Sequence, residues 1–303
     1  MNSIEIRELT REYGAIRAVD RLTFDVLPGR VTGFLGPNGA GKSTTMRLLL
    51  GLDRATSGTA TVGGRQFTAM TDPLRHVGAL LDPQSIHGGR TARDHLRFLA
   101  ATHRIPVRRV DEVLEQAGIA AAARRRVKTF SLGMRQRLGI AAALLGDPGV
   151  LLLDEPTNGL DPEGIIWIRE LMRALAAEGR TVLVSSHLMS ETAALADHLV
   201  VLGAGRLLAD TSMEEFIDAR STPRVRLRTS DAIRLRAALA REGLELVGAD
   251  GGRWTVEGIR AEQLGTMAAR EGIPMLELAD ERASLEQAYL DLTAGHAQFT
   301  ATP

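Results

Sequence analysis

Two short stretches of this 303-residue chain carry residue types and spacings that could do phosphate chemistry. Gly36-Pro37-Asn38-Gly39-Ala40-Gly41-Lys42-Ser43-Thr44 follows the pattern glycine, four residues, then Gly-Lys-Ser. Glycines there let backbone N–H groups converge on phosphate oxygens, and a helix beginning at Lys42 adds a favourable dipole. Lys42 would reach the terminal phosphates and the Ser43 hydroxyl would ligate Mg²⁺. A Gly-rich turn before a helix can arise by chance; a strand, loop and helix in this order set it apart. The second stretch is Asp154-Glu155, delivered by the apolar run 150–153. A carboxylate pair after a strand is often a solvated turn. Beside a phosphate-binding loop, Asp154 can order a magnesium shell and Glu155 can polarise an attacking water.

The elements that must position these groups are readable from apolar periodicity. Residues 1–35 are β-rich: Ile4, Ile6 and Leu9 begin one pattern, residues 19–26 a second, and 31–35 a short buried strand after the Pro28-Gly29 turn. A helix is predicted from Lys42 to about residue 50, ending near Gly51. Residues 72–127 read as mainly helical, from the spacing of Leu96 and Leu99 and of Val110, Val113 and Leu114, and another helix starts at Ser131. The continuous apolar runs at 150–153 and 182–184 are those of parallel strands buried on both faces. A helix at about 163–178 between them completes a βαβ unit. Residues 199–202 and 206–208 form a hairpin around Gly203 and Gly205. After Ser221-Thr222-Pro223 the texture changes to short strands (225–227, 254–256) and amphipathic helices (233–241, 261–270, 285–292). This is read as a separate small domain.

Further motifs fall in a specific order. Phe130-Ser131-Leu132-Gly133-Met134-Arg135-Gln136-Arg137-Leu138 precedes Asp154-Glu155-Pro156-Thr157-Asn158-Gly159-Leu160-Asp161-Pro162, and Ser185-Ser186-His187 follows the next strand. This combination resembles the ATP-binding subunit (nucleotide-binding domain) of ATP-binding cassette (ABC) transporters, over roughly residues 1–220. The resemblance implies an α/β P-loop NTPase cassette: a mixed sheet core with a β-rich N-terminal part and a helical subdomain at about 82–145. A small α+β C-terminal domain, 224–303, would be added to it. ATP and Mg²⁺ are the implied ligands.

The resemblance also implies roles. Glu155 would be the catalytic base and His187 the switch contacting the γ-phosphate, with Ser43 and Asp154 serving the magnesium. Tyr13 is similar to the aromatic residue that stacks on adenine; a tyrosine packing within a sheet is the alternative. Ser131 and Gly133 resemble the signature donors to ATP held by the opposite subunit, although Leu132 replaces the first glycine and Met134 the glutamine of the common wording. The hydroxyl and close backbone approach that an anion needs are kept. Asp161 resembles the D-loop residue that communicates across a dimer. The Q-loop departs: Asp82 stands where glutamine is usual, with Gln84 two residues on. Asp82 is favoured slightly, since a carboxylate is a good hard-cation ligand.

Composition bounds the rest. The chain has 37 basic and 37 acidic residues and no cysteine, excluding disulfides, thiolate catalysis and Cys-based zinc sites. Neutrality argues against a nucleic-acid polyelectrolyte binder, so no nucleic acid is expected. Residues 1–14 lack the apolar core of a signal peptide, and the longest apolar run, residues 140–145, is far too short to span a bilayer. Lys42 and Lys128 are the only lysines. Lys128 belongs to a basic run, Arg124-Arg125-Arg126-Val127-Lys128, read as solvated surface, with anionic lipid or nucleic-acid contact as the alternative.

One phosphate-binding loop and one signature segment per chain imply a homodimer, two chains head to tail enclosing two ATP molecules. The expected function is ATP hydrolysis powering a transporter through integral membrane permease subunits on separate chains. That places the protein in the cytoplasm, peripheral on the inner face of the cell membrane. The wording Ser-Leu-Gly-Met-Arg-Gln-Arg-Leu, the altered Q-loop and a C-terminal extension ending in the segment Ala283 to Thr293 are similar to those of ABC-2-type exporters. Drug, antibiotic or lipid-like cargo follows from that likeness. A soluble ABC ATPase acting on nucleic acid or ribosomes, or a regulatory ABC module, is the alternative.

Overall fold

Why the first strand's apolar pattern changes phase is answered by a bulge. The structure, a computed structural model, describes residues 2–219, 223–249, 253–281 and 285–294. In β1 (Ile4–Tyr13), Ile4 and Ile6 are buried in alternation, yet the next buried apolar residue is Leu9. Pairing with β2 (Ile16–Val26) shifts register between Ile6 and Leu9, and Glu8 takes a φ of 47°. The extra residue lets both halves face one core.

The chain divides into two compact units, Met1–Met213 and Glu214–Pro303. In the first, β3 (Val31–Leu35) leads into α1 (Lys42–Leu49), and β4 (Ser57–Val62) joins β1 and β2 in an antiparallel sheet of order β2-β1-β4. Next come β5 (Val77–Leu80), α2 (Ala92–Thr102), α3 (Arg108–Gln116), α4 (Leu132–Leu144), β6 (Val150–Asp154), α5 (Pro162–Ala177) and β7 (Thr181–Ser186). The unit finishes with α6 (Met189–Ala193), β8 (His198–Gly203) and β9 (Arg206–Ser212). The central sheet runs β5-β6-β7-β3-β8-β9, parallel except for the last antiparallel pair. Every residue of β3, β6 and β7 is buried, which explains the apolar runs at 150–153 of β6 and 182–184 of β7.

Two layers cover that sheet. On one face Leu151, Leu153, Val182 and Val184 join a core with Leu96, Leu114, Leu138, Ile168 and Met172 from α2 to α5. On the other, Phe34, Leu152, Leu183 and Val200 pack with Ile4, Leu22 and Phe24 of the antiparallel sheet and Met46 of α1. The phosphate-binding loop thus leaves a strand clamped between two cores. The helical reading of residues 72–127 holds only from Ala92 onward. Before it lie a 3-10 turn at Pro73–Arg75, β5, and turns through Pro83 and Gly88-Gly89. Pro73 and Pro83 remove helical hydrogen bonds there, and Thr91 caps α2 by accepting from the Asp94 N–H (3.1 Å).

The second unit begins within α7 (Met213–Asp218) and continues as β10 (Arg224–Thr229), α8 (Ala232–Arg241), β11 (Leu246–Ala249), β12 (Arg253–Glu257), α9 (Ala261–Arg270), β13 (Met275–Glu281) and α10 (Leu285–Ala294). Its antiparallel sheet has the order β11-β12-β10-β13. With α8 and α9 this is a βαββαβ, ferredoxin-like arrangement. Val225, Leu227, Leu235, Leu239, Val256 and Leu264 form its core.

Candidate nucleotide site

The loop after β3 turns into α1 at Gly41, whose φ of 101° lies in the left-handed region. A Cβ added there would come within 2.6 Å of the Ala18 carbonyl oxygen, so glycine is required for the fit as well as for the angle. Lys42, buried, donates from Nζ to the carbonyls of Gly36 (2.6 Å) and Pro37 (3.2 Å), folding its ammonium back into the loop. Burial holds that ammonium below the ordinary lysine range, while the Glu155 and Asp154 carboxylates pull it back up.

The acidic pair arrives at the end of β6, two strands away from β3 in the sheet. Asp154 pairs in register with Ser185 of β7. The Ser185 hydroxyl donates to Asp154 Oδ1 and accepts from the Glu155 N–H (2.9 Å), so one small side chain orients both acidic positions. Glu155 has a φ of 48°, a left-handed conformation that costs a non-glycine residue about 1–2 kcal/mol. Its carbonyl accepts from Gln136 Nε2 (3.1 Å), and its Oε2 lies 2.7 Å from His187 Nδ1.

Lys42, Gln136, Asp154 and Glu155 share a cleft of about 550 Å³, within the range of small-molecule sites, while His187 reaches it only through its contact with Glu155. Residues 38–44, Asp154, Glu155, Gln84, Leu132, Gln136 and Asn158 line it. Ser43 and Asp154 contribute a hydroxyl and a carboxylate to its lining, a hard-oxygen donor set that fits Mg²⁺ carried by a phosphate ligand.

The other sequence-derived candidates fall as follows. Gln84 lines the cleft and Asp82 does not. The Asp82 carboxylate instead accepts from the Gln84 N–H (2.8 Å), a local turn that leaves Gln84 facing the cleft. Ser131 caps α4, accepting from the Met134 N–H (3.2 Å), and is exposed. Gly133 abuts the next loop: an added Cβ would sit 2.7 Å from the Gly159 carbonyl oxygen. Asp161 caps α5 by accepting from the Gly164 N–H (2.9 Å). Tyr13, at the end of β1, does not line the cleft. Its hydroxyl donates to Asp53 (3.1 Å) and the Arg11 guanidinium covers one ring face at 4.2 Å. Sequence reasoning missed the wall residues Gln136 and Asn158. Both lay inside quoted motifs, and the signal for Gln136 was an amide where α4 is otherwise apolar on its buried side.

A phosphate loop between strand and helix, with two carboxylates at the end of a parallel strand in the same sheet, defines a nucleoside-triphosphate-binding α/β protein. Residues 19–158 match the ABC transporter family, and residues 223–286 match a domain of unknown function. The chain is 44% identical over 210 residues to the bacitracin transport ATP-binding protein BcrA of Bacillus licheniformis, covering 68% of this chain and 69% of that one. It is 36% identical to the lantibiotic transport ATP-binding protein SrtF of Streptococcus pyogenes, over 68% of this chain and 90% of that one. A bacterial ABC transporter cassette solved as a dimer has the same fold, with a TM-score of 0.64 and 23% identity over 69% of this chain and 98% of that one. The chain belongs to the ATP-binding subunits of ABC transporters, ATPases that drive transport.

Proposed function

We propose that Lys42 and the N–H groups of residues 38–44 hold the phosphates of ATP, with Ser43 and Asp154 holding Mg²⁺. The metal supplies charge neutralisation at the phosphoryl group when bound. Glu155 takes the proton from the attacking water, and His187, 2.7 Å from that carboxylate, keeps it aimed and meets the terminal phosphate. Gln84 presents an amide to the same cleft as the Q-loop residue. Phosphoryl transfer asks the protein for positioning and charge rather than covalent chemistry, and the Ser185 bridge gives the acidic pair fixed positions. The single observation carrying this reading is the convergence of Lys42, Ser43, Asp154 and Glu155 on one cleft.

Two chains associate head to tail, the exposed start of α4 with Ser131 and Gly133 completing the partner's ATP site and Asp161 beside the shared boundary. The Met1–Met213 unit, with α7, is the cassette, and the βαββαβ unit that follows is an accessory domain. Among the described residues no helix is long and apolar enough to cross a membrane. In this reading, which the transport ATP-binding relatives support, the membrane path belongs to a separate permease that holds the ATPase at the inner face of the membrane. The bacitracin and lantibiotic relatives support an exporter with antibiotic-type cargo. The test is recovery of the tagged full-length chain from its host in gentle detergent. Co-purification with a stoichiometric membrane-spanning protein is expected; recovery with ribosomes or nucleic acid and no membrane protein contradicts the transporter reading.

A further inference from the structure

We propose that Gln136 is a positioning residue for hydrolysis, holding the backbone of Glu155 and tying it to the start of α4; the proposal rests on the reading of Glu155 as the base. Gln136 is fully buried, an unusual place for an amide unless hydrogen bonds hold it. It lies five residues beyond the cap Ser131, about 7 Å along the α4 axis. It also lines the same cleft as Lys42 and Glu155.

The contacts name its task. Gln136 Nε2 donates to the Glu155 carbonyl (3.1 Å), and the Ser185 hydroxyl accepts from the Glu155 N–H (2.9 Å). The two peptide units flanking Glu155 are thus gripped separately, one from β7 and one from α4. The gripped residue is the one with a φ of 48°, a conformation that a non-glycine side chain leaves when nothing holds it. Rotation of that backbone would swing the carboxylate away from His187 Nδ1, now 2.7 Å from Glu155 Oε2. Gln136 Oε1, moreover, is buried without a hydrogen-bond partner among the described residues. Were packing its only role, a methionine of similar length would fill the site without that penalty. A buried amide whose acceptor is left unpaired fits a group kept for its donor, the one that holds the Glu155 carbonyl.

A second contact extends the consequence. Gly133, in the first turn of α4, approaches the Gly159 carbonyl so closely that a Cβ would sit 2.7 Å from it. Gly159 belongs to the loop joining Glu155 to α5, so α4 touches that loop at both ends. Movement of α4 when its first turn engages a phosphate is delivered to the Glu155 backbone through Gln136.

The test is single-turnover release of labelled phosphate from ATP by the full chain, with ATP binding and thermal unfolding measured alongside. Gln136→Met is expected to slow turnover about 100-fold, the scale of a 1 Å misplacement, with ATP affinity within about twofold of the parent. Gln136→Asn keeps the polarity, is too short to reach the carbonyl, and should show the same split if Gln136→Met folds poorly. Combining Gln136→Met with Glu155→Gln should leave the rate at that of Glu155→Gln alone, because both act through one carboxylate. A folded Gln136→Met or Gln136→Asn with parental turnover overturns the proposal, as does a double variant slowed multiplicatively. Parental turnover in Glu155→Gln alone would instead remove the base assignment, which distinguishes the two failures.

Discussion

At Lys42 two demands compete: the loop buries the side chain, and phosphate binding needs it charged. Its folded-state value lies below the ordinary lysine range because of burial. Between that value and the unfolded one the folded chain binds fewer protons, so the cost of burying the charge eases as pH rises through this window. A bound triphosphate has the opposite preference and favours the ammonium. ATP affinity should therefore fall on the alkaline side, starting below the pH at which a free lysine titrates. Lys42→Arg, whose guanidinium stays charged, should bind more weakly and lack that limb. ATP titrations from about pH 7 to about pH 10 check this, and an affinity that stays flat across the range contradicts it.

What was legible at this scale divides by the range of the interaction. Lys42, Ser43, Asp154 and Glu155 could be read because each sits at a fixed offset from a strand end, and strand ends show in apolar runs. The service of Ser185 to Asp154 and Glu155 depends on strand order, and Gln136 on how α4 meets the end of β6; neither appears in any spacing. That the Asp82 carboxylate accepts from the Gln84 N–H depends on a two-residue turn that no spacing announces.

Among the elements, α4 and β5 show how a small residue sets a close approach. Gly78 of β5 has no Cβ, and one added there would lie 2.0 Å from the Ala143 carbonyl oxygen on α4. Backbone on backbone leaves nothing flexible to yield. Gly78→Ala should therefore lower unfolding free energy by about 1–3 kcal/mol as β5 and α4 part. Urea denaturation measures it, and a loss below about 0.5 kcal/mol would show that the contact relaxes freely. Continuous apolar runs revealed β6 and β7, because strands buried on both faces must read that way, while β3 was read from its place after the Pro28-Gly29 turn. The bulge in β1 was hidden, since it breaks the alternation that signals a strand. In the second unit β13 was missed: Met275–Glu281 interleaves Ala279 and three acidic positions with its apolar residues, and burial there is partial. β11, four residues long, offered too short a window for any period.

For the whole molecule, equal numbers of acidic and basic residues leave no general field to recruit a polyanion, so ATP must be held by local geometry. That geometry is concentrated in the first unit, where one sheet between two cores presents the loop and the acidic pair to a single cleft. The family membership makes the chain an ATPase; the central claim about how it works is that Glu155 is the base within a cleft that binds ATP without it. Glu155→Gln tests this most directly, because the amide keeps the side chain's size and removes its basicity. Phosphate release should fall by about 100-fold or more. ATP binding should persist, and ATP should drive accumulation of a dimer visible by light scattering. Parental hydrolysis by Glu155→Gln would contradict the account.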